Sequence, residues 1–144
     1  MTTLAPARMH HIALTVRDLD ASTSWYSSVF SLGHLMDVPH EGGVGRILAS
    51  ADMGLVFALH AHESSGGEPF AETRTGLDHI GIVVPLRTDL EQWQDHLAEH
   101  GVARAQHADK PLTQSPIADE AYGSVLVFRD PDNIQLELVA LPSA

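Results

Sequence analysis

The chain repeats itself at an offset of 68 residues: His11, Trp25 and Gly33 recur as His79, Trp93 and Gly101, each inside a similar strand-then-helix pattern. The apolar rhythm of His11-Ile12-Ala13-Leu14-Thr15-Val16 returns in His79-Ile80-Gly81-Ile82-Val83-Val84, and an amphipathic stretch ending at the matched glycine follows each. Self-similarity at a fixed period reads as a duplicated supersecondary unit. Such a duplication constrains the fold strongly, because equivalent residues open equivalent strands and pseudo-symmetric strands can bring them face to face. Two imidazoles in that relationship suggest a metal site.

Composition narrows the chemistry. With no cysteine among 144 residues, disulfides, thiolate ligands and a Cys nucleophile are excluded, so a metal must be held by nitrogen and oxygen, for which ten histidines are the supply. Eight Lys+Arg against 19 Asp+Glu leave a net charge of -11, which argues against nucleic acid and anionic membranes as partners. No window approaches the roughly 18 to 20 apolar residues of a membrane span, and Met1 to Arg8 lacks the basic start and apolar run of a signal peptide. A cytoplasmic location and a small-molecule ligand are the expectations. A hydrophobic fraction of 44% suffices for one core, shared by two half-domains.

In the first half a strand is expected over about 9–16. Asp18-Leu19-Asp20 offers an N-cap for a helix with Trp25, Tyr26, Val29 and Phe30 at helical spacing, stopped by Gly33. Strands follow at about 33–38 and 44–49, separated by the turn-forming Pro39 to Gly43, and then at about 55–60. The Gly, Ser and Pro-containing stretch from His62 to Gly76 reads as a mobile linker. The second half opens with a strand over 77–84. Thr88-Asp89-Leu90-Glu91 reads as a capping box for a helix running to about His100 and ending at Gly101. A short strand near 102–107 is expected, followed by a long irregular stretch, Ala108 to Ala121, of a length often found in binding loops. Strands over 122–128 and 134–140 close the chain around Arg129-Asp130-Pro131-Asp132-Asn133, a tight-turn signal.

Alternation along Ile134-Gln135-Leu136-Glu137-Leu138-Val139 places Glu137 on one face of the last strand, flanked by apolar neighbours. An inward carboxylate is costly unless paired, protonated or bound to a cation. His11, His79 and Glu137 thus make a 2-His-1-carboxylate set with open coordination positions, acceptable to Fe, Mn, Zn, Ni or Co. The ordinary fate of a strand-end histidine is a hydrogen bond at the surface, but the repeat and Glu137 favour ligation here. His10 points the opposite way from His11 and reads as a surface residue, as do His40, His62, His100 and His107. Trp25 and Trp93 read as packing residues, Tyr122 and Arg129 as ordinary packing and turn residues, and Asp119-Glu120 as solvated.

The strand openings, the helix segment Ala21 to Phe30, and the turn-and-strand Asp130-Pro131-Asp132-Asn133-Ile134-Gln135-Leu136-Glu137 together resemble the vicinal oxygen chelate superfamily. That group includes glyoxalase I, extradiol dioxygenases, methylmalonyl-CoA epimerase and fosfomycin or bleomycin resistance proteins. The resemblance implies an α+β fold of two βαβββ modules forming an open curved mixed sheet. One domain would occupy 1–144, with module one at about 9–62, a linker at about 63–76 and module two at about 77–141. It further implies His11, His79 and Glu137 as metal ligands, with Glu137 also catalytic, and a homodimer.

The family's fourth ligand position falls on Ala58, which cannot ligate; His60, two residues on and on the same face, is the alternative fourth ligand. A three-ligand pattern resembles the extradiol and fosfomycin-resistance branches. Val125-Leu126-Val127 departs from both, lacking the catalytic Tyr of the first and the polar, aromatic strand of the second. The activity implied is that of a metal-dependent enzyme, dioxygenase-like or glyoxalase-like, acting on a small molecule chelated through vicinal oxygens. The rival reading is a non-catalytic drug- or metabolite-binding protein of the bleomycin-resistance type.

Overall fold

A computed structural model describes residues 3–104 and 113–143. Two four-stranded mixed sheets, each with one helix packed on one face, realise the duplicated pattern in an α+β architecture. The first module comprises β1 (Ile12–Thr15), α1 (Leu19–Phe30), β2 (Gly33–His40), β3 (Gly43–Ala49) and β4 (Val56–His62), with sheet order β1-β4-β3-β2. The second comprises β5 (Ile80–Val84), α2 (Arg87–Glu99), β6 (Ala118–Glu120), β7 (Gly123–Arg129) and β8 (Gln135–Ala140), with order β5-β8-β7-β6. In each sheet the first strand runs parallel to the last and the other neighbours are antiparallel.

Helix α1 begins where expected, the Asp18 carboxylate accepting the Ala21 N–H at 2.9 Å. It stops two residues before Gly33: Ser31 takes the left-handed conformation at φ 54°, and Gly33 already pairs with Ala49. Helix α2 starts at Arg87, because the Asp89 carboxylate reaches back to the Leu86 N–H at 2.8 Å; Thr88 lies inside the helix and is not its cap. The turn between β2 and β3 is tighter than expected, Pro39 and His40 both belonging to β2.

In the second module β7 pairs antiparallel with β8 and with β6, a strand that falls in the stretch read as irregular. Arg104 makes only a single bridge to Gln114. The remainder of the strand expected near 102–107, His107 included, and the first part of the Ala108 to Ala121 stretch lie outside the described residues.

One apolar cluster joins the halves. Phe30 is its hub, with ring centroids 5.8 Å from Phe57 in the first sheet, 6.2 Å from Phe128 in the second and 5.7 Å from Trp93 on α2. Trp25 and Trp93 are packing residues, as their helical spacing predicts. Polar contacts reinforce the junction: Tyr26 Oη donates to Asp130 Oδ2 at 2.8 Å, Arg17 Nε to Asp132 Oδ1 at 2.7 Å, and His96 Nε2 meets the Val29 carbonyl at 2.8 Å.

The 62–76 segment, read from composition as mobile, is pinned to the turn before β8. Phe70 N–H donates to the Asp132 carbonyl at 2.8 Å, Asn133 Nδ2 to the Phe70 carbonyl at 3.0 Å, and Glu72 pairs with buried Arg129 at 2.7 Å. Arg129 is therefore no ordinary turn residue; its guanidinium also donates to Gln135 Oε1 and the Asn133 carbonyl.

Candidate metal centre

Strand register puts the first and last strands of the two modules in matching places. Ala13 is opposite Ala58 in the first sheet and Gly81 is opposite Glu137 in the second, so Ala58 is the structural counterpart of Glu137. His11 and His79 each immediately precede their strand, β1 beginning at Ile12 and β5 at Ile80 rather than at the earlier starts expected from the sequence. The opposite faces carry the core: Leu14, Phe57 and Leu59 pack beneath α1, Ile80, Leu136 and Leu138 in the matching places of the second sheet. The faces bearing the histidines and Glu137 are the open ones, where Met36, Val38 and Val83 are exposed.

His79 and Glu137 meet on the second open face, Nε2 to Oε2 at 3.1 Å, with the carboxylate largely covered and the imidazole partly exposed. The other ring nitrogen, His79 Nδ1, contacts Asp78 Oδ1 at 2.6 Å. When Nδ1–H donates to Asp78, neutral His79 turns the Nε2 lone pair toward a carboxylate that is also an acceptor. Two acceptors at this distance need a proton on one of them or a cation between them. Two ligand atoms each roughly 2.0–2.2 Å from one ion lie about 3 Å apart at a right angle and about 3.4 Å apart at a tetrahedral one, so the pair fits two positions of a nitrogen and oxygen site. The Asp78 contact is the outer carboxylate that metal-binding imidazoles commonly carry. Val127, opposite Glu137 on β7, makes the adjoining wall apolar.

His11 contacts His10, Nδ1 to Nδ1 at 2.8 Å, so His10 is the neighbour of a candidate ligand as well as a surface residue. Among the described residues, His11 forms no group of three ligand atoms with His79 and Glu137 within 4.8 Å of one another. The group that meets this distance is His40, His60 and His62, on the open face of the first sheet. His60 thus faces two other imidazoles, and burial followed by the charges of His40, His62 and His11 lowers its pKa. Nothing in the one-dimensional pattern joins His40 to His60, which approach only across β3.

Tyr122 is exposed at the start of the β7 hairpin, and Asp119 and Glu120 are exposed, with Asp119 paired to Arg87 at 2.8 Å.

The chain belongs to the Glyoxalase/Bleomycin resistance protein/Dioxygenase superfamily, whose family model matches residues 8–138. Among solved structures, a glyoxylase/bleomycin resistance protein/dioxygenase domain from Frankia sp. EAN1pec is 31% identical, with 97% of this chain and 96% of that chain covered and a TM-score of 0.82. A glyoxalase family protein from Enterococcus faecalis is 18% identical over 92% of this chain and 96% of that chain, with a TM-score of 0.72. FosX from Listeria monocytogenes, a fosfomycin resistance protein, shares the fold at 18% identity over 96% of each chain, with a TM-score of 0.68. None of the curated protein sequences matches. Among the described residues no helix is long and apolar enough to cross a membrane.

Proposed function

We propose that this protein is a metal-dependent enzyme acting on a small molecule that binds a divalent cation through two neighbouring oxygens, with His11, His79 and Glu137 as the protein ligands. The observation that carries this reading is the His79–Glu137 pair at 3.1 Å, backed by Asp78 on the far ring nitrogen. Two acceptors aimed at one point, on an open sheet face beside an apolar wall, make half of a site that a cation would complete. Fe, Mn, Zn, Ni and Co all suit this donor set. Such an ion supplies Lewis acidity or a redox centre to a chelated substrate. Glu137, beside Val127 on β7, would hold the ion and would take or return a substrate proton. A FosX variant from Listeria monocytogenes solved with Mn(II) and a dihydroxypropylphosphonic acid, a ligand with adjacent hydroxyls, is consistent with this use of the fold.

We further propose that residues 1–144 act as one domain within a homodimer, and that His11 reaches the site from a second copy. Edge strands β1 and β5 and the exposed Met36, Val38 and Val83 leave each open face without a partner among the described residues of the chain.

Mixing His11→Ala with Glu137→Gln protein tests both parts at once. If sites are shared, one site of each mixed dimer is intact, and stoichiometric metal returns to about a quarter of all sites when copies pair at random. If each site lies within one chain, mixing adds no metal beyond what the two parents already hold. Wild-type protein that holds no metal and gains no thermal stability from Fe(II), Mn, Co, Ni or Zn sinks the enzymatic reading.

The bleomycin-resistance-like alternative, a dimer cleft that sequesters a ligand, is favoured by one observation, the net charge of -11, which suits a cationic drug. Tight binding of such a drug by metal-free protein, unchanged in Glu137→Gln, distinguishes it.

A further inference from the structure

The open face of the first sheet carries three imidazoles that the His79–Glu137 pair does not use. They come from two strands that are not neighbours: His40 from β2, His60 and His62 from β4, with β3 running between them. Register places Gly43 between His40 and His62, and Gly45 between Val38 and His60. A side chain at either glycine would occupy the space the rings now fill. A Cβ on Gly43 would lie 2.7 Å from His40 Cε1, and one on Gly45 2.6 Å from His60 Cε1. The two glycines let the imidazoles lean over the backbone of β3 and converge.

Their convergence is close to that of a coordination shell. His60 Nδ1 is 3.2 Å from His40 Nε2, and one ligand nitrogen of each of the three rings lies within 4.8 Å of the others. Nitrogens each roughly 2.0–2.1 Å from a tetrahedral zinc ion stand about 3.3–3.4 Å apart. One edge of that tetrahedron is already present, and the other two nitrogen separations lie within 4.8 Å. His40 Nδ1 contacts the Glu41 carbonyl at 3.1 Å. That contact selects the tautomer with hydrogen on Nδ1 and turns the Nε2 lone pair toward His60, the outer hydrogen bond expected of a ligating imidazole. His62 is exposed, which leaves a route for the ion and an open fourth position.

We propose that His40, His60 and His62 form a three-imidazole site for a borderline divalent transition metal, zinc foremost, separate from the site at His79 and Glu137. Neutral nitrogen donors with no thiolate suit zinc, copper and nickel over magnesium or calcium. The site lies on β4 one pleat repeat beyond Ala58, on the same face, so an ion there would line the cleft without occupying the position that Glu137 defines in the other half.

The test uses tag-free, EDTA-treated, full-length protein titrated with Co(II), read by visible absorption, and with Zn(II) against a chromophoric chelator. In Glu137→Gln protein, where the other site is disabled, one equivalent per chain should still bind. Adding His62→Ala, an exposed and structurally safe change, should weaken that binding at least tenfold. Gly45→Ala should weaken it comparably by displacing the His60 ring. Long-range ¹H–¹⁵N spectra of the imidazoles should show His40, His60 and His62 shifting together on Zn(II) addition. If Glu137→Gln protein binds no Zn(II) or Co(II), or if His62→Ala leaves its affinity unchanged, the three-histidine site is wrong, whatever becomes of the His79–Glu137 site.

Discussion

Ala58 and Glu137 hold the same place in the two sheets, each opposite the residue that lies two beyond its module's first histidine. Of these two equivalent positions, only the one in the second module carries a donor side chain. Replacing Ala58 by Glu should restore the missing ligand and tighten metal retention, by tenfold or about 1.4 kcal/mol if the added carboxylate binds well. The rate of metal loss to EDTA measures it. Glu137→Gln should move in the opposite direction, and equal retention by the two variants would contradict the assignment.

Asp78 should matter for metal affinity without itself being a ligand. Its 2.6 Å contact with His79 Nδ1 fixes which nitrogen faces Glu137. Asp78→Asn is expected to lower metal affinity about 10- to 100-fold while leaving the melting temperature of the metal-free protein nearly unchanged. Competition titration with a chelator and metal-free thermal melts give the two readouts.

The buried Asp130 carboxyl should give the fold a pH dependence on the acid side. Burial raises the Asp130 pKa from 3.8 to about 6, against the lowering effect of the bonds it accepts from Tyr26 and the Ile134 and Asp132 N–H groups. A carboxyl raised in the folded state binds its proton more tightly there than in the unfolded chain. Its contribution is complete below about pH 4 and is lost as pH rises through about 6. Asp130→Asn keeps one oxygen for the two backbone N–H groups and should flatten that part of the profile in denaturant titrations between pH 4 and 7. Tyr26→Phe leaves a buried carboxylate oxygen without its donor and should cost about 1–3 kcal/mol.

Glu72 acts at the other end of the scale. The Arg129 guanidinium lowers its pKa from 4.5 to about 2. Its stabilising contribution is therefore present above about pH 4.5 and is lost as pH falls toward 2. Glu72→Gln leaves buried Arg129 without its carboxylate and should destabilise by about 1–3 kcal/mol at neutral pH. The same change should release the 62–76 segment from the turn before β8, seen as faster amide exchange around Phe70.

The sequence pointed to His79 and Glu137, which meet at 3.1 Å, and to His11, which does not join them within one chain among the described residues. Parity along a strand separates His11 from His10 and turns Glu137 to one face, and the repeat offset pairs His11 with His79. The cap at Asp18 and the turn at Asp130 were legible for the same reason, since their hydrogen bonds close within four residues. The boundary at Ser31 was missed because a serine in left-handed conformation leaves no glycine to read. Strand β6 was missed because three residues are too few to show a period.

By itself the sequence determined the duplicated module, the strand faces and the donor chemistry, all of which follow from backbone periods of two and 3.6 residues and from residue type. Only the tertiary structure decided which residues meet across elements. Arg129 finds Glu72 at a separation of 57 residues, and Tyr26 finds Asp130 at 104. His40 meets His60 because β3 lies between their strands in a register that puts Gly45 under the His60 ring. Such meetings depend on strand order and register, which are set by the burial of the whole core around Phe30 rather than by any local stretch of chain.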